Sequence, residues 1–135
     1  MRATTLAKTI ASLTLTKKAN DVLIMDLRKL TSVADFFVVC SADTDVQVKA
    51  IVDAVEEALE AKGVNVWHRE AGSPHWVILD YVDVVLHVFH KNTRSFYALE
   101  RLWGDAAITR VEDKAPVPAP RRKSPAARTR KKVTS

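Results

Sequence analysis

Strand-like and helix-like runs alternate along this chain, and the alternation predicts an α/β (α+β) fold, a small mixed β-sheet flanked by helices. Three observations carry that expectation. DVLIMDLR (21–28) and DFFVVC (35–40) are short runs rich in strand-forming residues. VKAIVDAVEEAL (48–59) sets its apolar residues at helical spacing. A length of 135 residues with 47% hydrophobic composition suits one modest domain with its own core.

In chain order, MRATTLAKTIASLTLT (1–16) lacks acids and carries Arg2 and Lys8 among serines and threonines, the composition of an organelle transit peptide. Its alternative is a first helix, because Leu6, Ile10 and Leu13 recur at helical spacing. The two apolar runs after it read as a strand pair at the centre of the sheet, with Lys29–Ser32 as the turn. Thr44 followed by Gln47 makes a capping box for a helix over 45–62. Val48, Ile51, Val52, Val55 and Leu59 form its buried stripe, and Gly63 stops it. VNVWHREA (64–71) predicts a third strand, ended by Gly72, Ser73 and Pro74. The fourteen residues WVILDYVDVVLHVF (76–89) are long for one strand and split into a hairpin, WVILD and VVLHVF, about Tyr81-Val82-Asp83. NTRSFYALERLWGD (92–105) predicts a last helix capped by Asn92 or Thr93, with Phe96, Leu99 and Trp103 on one face and Gly104 as terminator.

The formal net charge of +5 divides sharply along the chain. Residues 114–135 hold eight basic residues, four of the five prolines and no acid, which predicts a disordered tail beyond a domain of residues 1–113. Between Ala19 and Asp113, nine basic residues face sixteen acidic ones, a net of −7. Such a domain is repelled by bare phosphate and attracted to basic protein surfaces. No apolar run approaches the roughly 18 to 20 residues of a membrane span, so no membrane association is expected. The single cysteine, Cys40, forms no internal disulfide, and a cytoplasmic setting is the expectation, with organellar targeting as the lesser alternative.

Enzymatic chemistry finds little support. Cys40 lies in an apolar strand where a thiolate is disfavoured. His68, His75, His87 and His90 form neither an HExxH pair nor part of a CxxC set, so no metal is expected. The three glycines are dispersed, which excludes a glycine-rich phosphate loop. Alternation places Val84, Leu86 and Val88 on one face, with Val85, His87 and Phe89 on the other, making His87 a hydrogen-bonded strand residue in preference to a general base. Asp80 and Asp83 straddle a turn without the converging arrangement a magnesium site needs. Aromatic and arginine anchors ringed by acids instead have the composition of a protein-docking surface: Trp76, Tyr81, Tyr97, Arg101 and Trp103 with Asp80, Asp83 and Glu100. Against this stands the plainer reading of the tryptophans as core.

The same residues carry a family likeness. DVLIMDLRKLTSVADFFVVCSA, VKAIVDAVEEAL, HWVILDYVDVVLHVF and RSFYALERLWGD together resemble the ribosomal silencing factor family, RsfS or Iojap, over roughly residues 5–105. The resemblance implies a nucleotidyltransferase-like topology without that activity, and neither enzyme nor cofactor. It also implies binding to the large ribosomal subunit through its fourteenth large-subunit protein, blocking the small subunit and repressing translation during nutrient limitation. Carried onto this chain, the docking residues are Trp76, Asp80, Tyr81, Asp83, His87, Tyr97, Glu100 and Arg101. Two rival readings are a residual nucleotidyltransferase and an RNA-binding module led by the tail, although CSADTD lacks the glycine-serine pair of such transferases. Arg121, Arg122, Lys123, Arg128, Arg130, Lys131 and Lys132 can hold ribosomal RNA nonspecifically, and pairing of the free protein with a second copy is compatible with the sequence. The chain departs from the family at Val82, where a permissive residue is common, and near Ala42 and Asp43, where a glycine is common.

Overall fold

The computed structural model describes residues 1–73, 75–91, 104 and 106–111. The expected last helix, with Tyr97, Glu100 and Arg101, and the basic tail lie outside the described residues. So do Phe96, Leu99 and Trp103.

Residues 1–16 adopt the helical alternative. Helix α1 (Ala3–Leu15) buries Leu6, Ala7, Ile10, Ala11 and Thr14, a stripe with a repeat of about one turn. Strands β1 (Asn20–Asp26) and β2 (Phe36–Ala42) pair antiparallel, as the two apolar runs predict. A register shift between Asn20 and Leu23 accompanies a positive φ of 50° at Asp21.

Helix α2 (Asp45–Glu60) begins where the capping residues put it. The Gln47 amide N–H donates to Thr44 Oγ1 (3.0 Å), while Gln47 Oε1 accepts from Asp43 N–H (2.8 Å), one residue earlier than a capping box requires. The side-chain Nε2 of Gln47 also donates to the carbonyls of Lys17 and Lys18, pinning the turn after α1 to the start of α2. At the other end Gly63, at φ 80°, donates to Glu60 O, and Val64 N–H donates to Leu59 O. These two bonds form a Schellman motif, in which glycine takes the left-handed position without a Cβ penalty.

The third strand starts later than its sequence suggests. β3 is His68–Ser73, because Val64 and Val66 turn inward to pack on the core before the ladder begins. It also runs through Gly72 and Ser73, expected to be turn, with Ser73 opposite Trp76 after a register shift. The hairpin split holds, giving β4 (Trp76–Asp80) and β5 (Val84–His90), paired antiparallel with Trp76 opposite Phe89. A further strand, β6 (Ala107–Val111), was not anticipated; it pairs antiparallel with β1.

The six strands among the described residues form one sheet in the order β3-β4-β5-β2-β1-β6, with β2 and β5 parallel. Both faces are apolar. On one, Val38, Cys40, Val77, Leu79, Val84, Leu86 and Val88 pack against the stripes of α1 and α2. On the other, Met25, Leu27, Val39 and Phe89 form a second cluster with Phe37 and Trp76, to which neither α1 nor α2 contributes. A period of two explains the division, since neighbouring residues of one strand face opposite ways.

Candidate functional site

The expected docking residues that are described, Trp76, Asp80, Tyr81, Asp83 and His87, fall at three places around β4 and β5. At the hairpin tip, Asp80 Oδ1 accepts from Val82 N–H (2.7 Å), Tyr81 N–H donates to Val84 O (2.9 Å) and Asp83 N–H donates to Tyr81 O (2.9 Å). This three-residue turn throws Val82 to φ 75°, a left-handed value that a β-branched residue rarely adopts. The tip is fastened to the β1–β2 loop, because Asp35 N–H and Phe36 N–H both donate to Asp83 O (2.8 and 3.1 Å). Asp83 and Val82 are exposed there, and Asp80 is half-buried.

Tyr81 sits elsewhere. Its ring is 7% exposed and lies in the core on the helix side, with Val77 and Leu79. Its hydroxyl has no hydrogen-bond partner among the described residues, and burial, with Glu56 and Glu60 nearby, pushes its pKa up to about 12. The structure therefore separates Tyr81 from the surface on which the acids stand; the ring supports the tip from beneath.

Trp76 and His87 meet on the opposite face. Trp76 Nε1 donates to His87 Nδ1 (3.3 Å), so the neutral imidazole carries its proton on Nε2. The imidazole is 5% exposed and packed among rings, with Phe37 at 4.7 Å and Phe89 stacked at 6.2 Å. Burial drives its pKa down to about 4. A neutral ring with one nitrogen engaged by an indole fits the hydrogen-bonded strand residue that alternation predicts, and it is poorly placed to accept a proton near neutrality. Trp76 covers Phe89 at 4.9 Å and remains half-buried.

Between the two lies a residue the sequence reading passed over. Ile78 shares the Trp76 and Asp80 side of β4, and all three are half-buried, forming a file about 13 Å long beside the edge strand β3. Period-two alternation within WVILD could have identified it.

Other chemistry-bearing groups lie apart. Cys40 is buried, and burial raises its thiol pKa to about 12, outweighing a hydrogen bond from Thr14. At the end of the sheet opposite the hairpin tip, His75 Nδ1 lies 2.8 Å from Asp45 Oδ1 and the His75 ring meets that of His90 edge-on at 5.6 Å. Among the described residues, no group of three or more His, Cys, Asp or Glu side chains is arranged to hold a metal ion. No described helix is long and apolar enough to cross a membrane.

Comparison with known proteins accords with the resemblance in the sequence. A family model described as "Ribosomal silencing factor during starvation" matches residues 1–135. The ribosomal silencing factor RsfS of Bacillus subtilis is 40% identical over 97 residues, which cover 71% of this chain and 82% of that protein. The chloroplastic protein Iojap of Zea mays is 32% identical over 89 residues, 66% of this chain and 39% of that protein. Among solved structures, a crystal structure of a Chromobacterium violaceum protein superposes with a TM-score of 0.73 at 31% identity, covering 86% of this chain and 98% of that one.

Proposed function

This chain belongs to the ribosomal silencing factor family, and from that premise we propose that it acts by docking, as a plug on the large ribosomal subunit that keeps the small subunit away. The contact is with the fourteenth large-subunit protein, and no bond is made or broken. Translation falls because subunits fail to join, a response suited to starvation, the condition in the family's own description.

The observation that carries this reading is the Trp76–Ile78–Asp80 file. It presents an aromatic, an aliphatic and an acidic side chain, half-exposed on a rigid strand, on the sheet face to which neither α1 nor α2 contributes. Rigid aromatic and aliphatic anchors bordered by charge are what a tight protein interface uses, and the net of −7 between Ala19 and Asp113 favours a basic partner. The basic residues of 114–135 add a nonspecific hold on ribosomal RNA. The setting is the cytoplasm.

Co-sedimentation with isolated large subunits tests it. Wild-type protein pellets with them, and Asp80→Lys with Asp83→Lys weakens binding by about tenfold at low salt, with a smaller difference at high salt because steering charges are screened. Equal co-sedimentation of wild type and double variant at every salt concentration would remove these acids from the contact.

A further inference from the structure

Among the described residues, four large apolar side chains stand exposed in a row across one end of the sheet: Val33 (75%), Trp67 (70%), Val82 (55%) and Leu30 (40%). Their order follows the strands. Trp67 N–H donates to Asp80 O (2.8 Å), which sets Trp67 beside the hairpin tip carrying Val82. The bonds from Asp35 and Phe36 to Asp83 O join that tip to the loop carrying Val33 and Leu30. Running from the start of β3 to the end of β1, the row crosses four inter-strand spacings, about 20 Å.

The loop is held in shape. Leu30 N–H and Thr31 N–H donate to Leu27 O, Val33 N–H donates to Thr31 Oγ1 (3.1 Å), and Arg28 pairs with Asp26 at 2.7 Å. Val82 is strained as well as exposed, held in a left-handed conformation that glycine would adopt without penalty. A fold that keeps an apolar branched side chain pointing outward in a left-handed turn gains nothing from it internally.

The electrostatic setting names the partner's chemistry. Asp35, Asp80 and Asp83 stand along the row, and Glu60, in the last turn of α2, is close enough to act on the Tyr81 hydroxyl, whereas Glu56 beside it is paired with Arg69 at 2.6 Å. The C-terminus of α2 adds its partial negative charge. Arg28 is offset by Asp26, leaving Lys29 as the free cation of the loop. Phosphate is repelled by such a surface, whereas lysines and arginines set among apolar side chains match it.

We infer that the row Leu30, Val33, Val82 and Trp67 with Asp35, Asp80 and Asp83 is a docking surface for a basic protein surface bearing apolar side chains, engaged together with the Trp76–Ile78–Asp80 file. This rests on the docking role proposed above and extends it from the sheet face to the sheet end, bringing in the β1–β2 loop.

Val82→Gly separates structure from docking, because it relieves the turn and removes the contact. The full-length variant melts at a higher temperature than wild type and binds isolated large subunits about tenfold more weakly, and Leu30→Ser with Val33→Ser weakens binding by a similar factor without lowering the melting temperature much. Affinity unchanged in both variants, while wild type binds and Trp76→Ala binds about thirtyfold more weakly, would overturn the sheet-end surface and leave the docking role standing. Failure of wild type itself to bind large subunits would overturn both. Weakening seen equally with protein-free large-subunit RNA would overturn the protein partner.

Discussion

Acidification from pH 7 to pH 4 removes about 3 kcal/mol of folding stability through His87 alone. The imidazole's pKa falls from its ordinary 6.5 to about 4 in the folded chain because it is buried among Phe37, Trp76 and Phe89. Between those two values the unfolded chain holds a proton that the folded chain does not, so stability rises with pH across that window. The contribution is fully present above about 6.5 and is lost as pH falls toward 4; the difference in pKa, at 1.36 kcal/mol for each pH unit, sets the size. Geometry points the same way, since Nδ1 accepts from the Trp76 indole and a proton there would set two donors face to face. Urea unfolding of wild type and His87→Phe between pH 4 and 7 measures it. The variant loses most of the extra acid sensitivity, whatever it costs at pH 7; parallel pH profiles would show that His87 is not the group responsible.

Trp76→Ala has two large effects, and Trp76→Phe divides them. Alanine deletes the ring that packs on Phe89 and removes the donor to His87 Nδ1, costing about 2–4 kcal/mol of stability. If the half-exposed indole is also a central anchor, large-subunit affinity falls about thirtyfold, the loss that follows from truncating an interface hot spot worth about 2 kcal/mol. Phenylalanine keeps most of the packing and loses the N–H, so it costs about 1 kcal/mol of stability and recovers part of the affinity. Calorimetric melting beside a binding titration reads both quantities. A Trp76→Ala protein that is less stable yet binds as wild type would make the indole a packing residue only.

What the sequence disclosed, and what it hid, follows from the range of the interactions involved. α2 was legible from end to end because its signals are local: Thr44 and Gln47 at the start, Gly63 at the stop and an apolar stripe between. The faces of β5 were legible for the same reason, since alternation alone separates His87 and Phe89 from Leu86 and Val88. β6 was missed because it is a short edge strand whose first four residues are exposed, so no burial pattern marks it; its existence depends on β1, more than eighty residues away. The depth of Tyr81 was hidden by its neighbours. Between Asp80 and an exposed Val82 it reads as part of a polar tip, yet alternation from Val77 and Leu79 carries it into the core. A valine at the turn was poor hairpin chemistry, and the structure shows how it is made to serve: the Asp80 carboxylate accepts from its amide and the backbone takes the left-handed strain. The Trp67 and Leu30–Val33 row was invisible because its members lie far apart in sequence and meet only through the bonds at Asp83 O and Asp80 O.

The central claim is that this domain works by occupying space on the large subunit. The most direct measurement mixes saturating protein with isolated large subunits, adds small subunits at a magnesium concentration that favours joining, and follows the particles by sucrose-gradient sedimentation. Joined ribosomes decline in proportion to the large subunits occupied, and the bound protein travels with the free large-subunit peak. Undiminished joining at saturating occupancy would contradict the account.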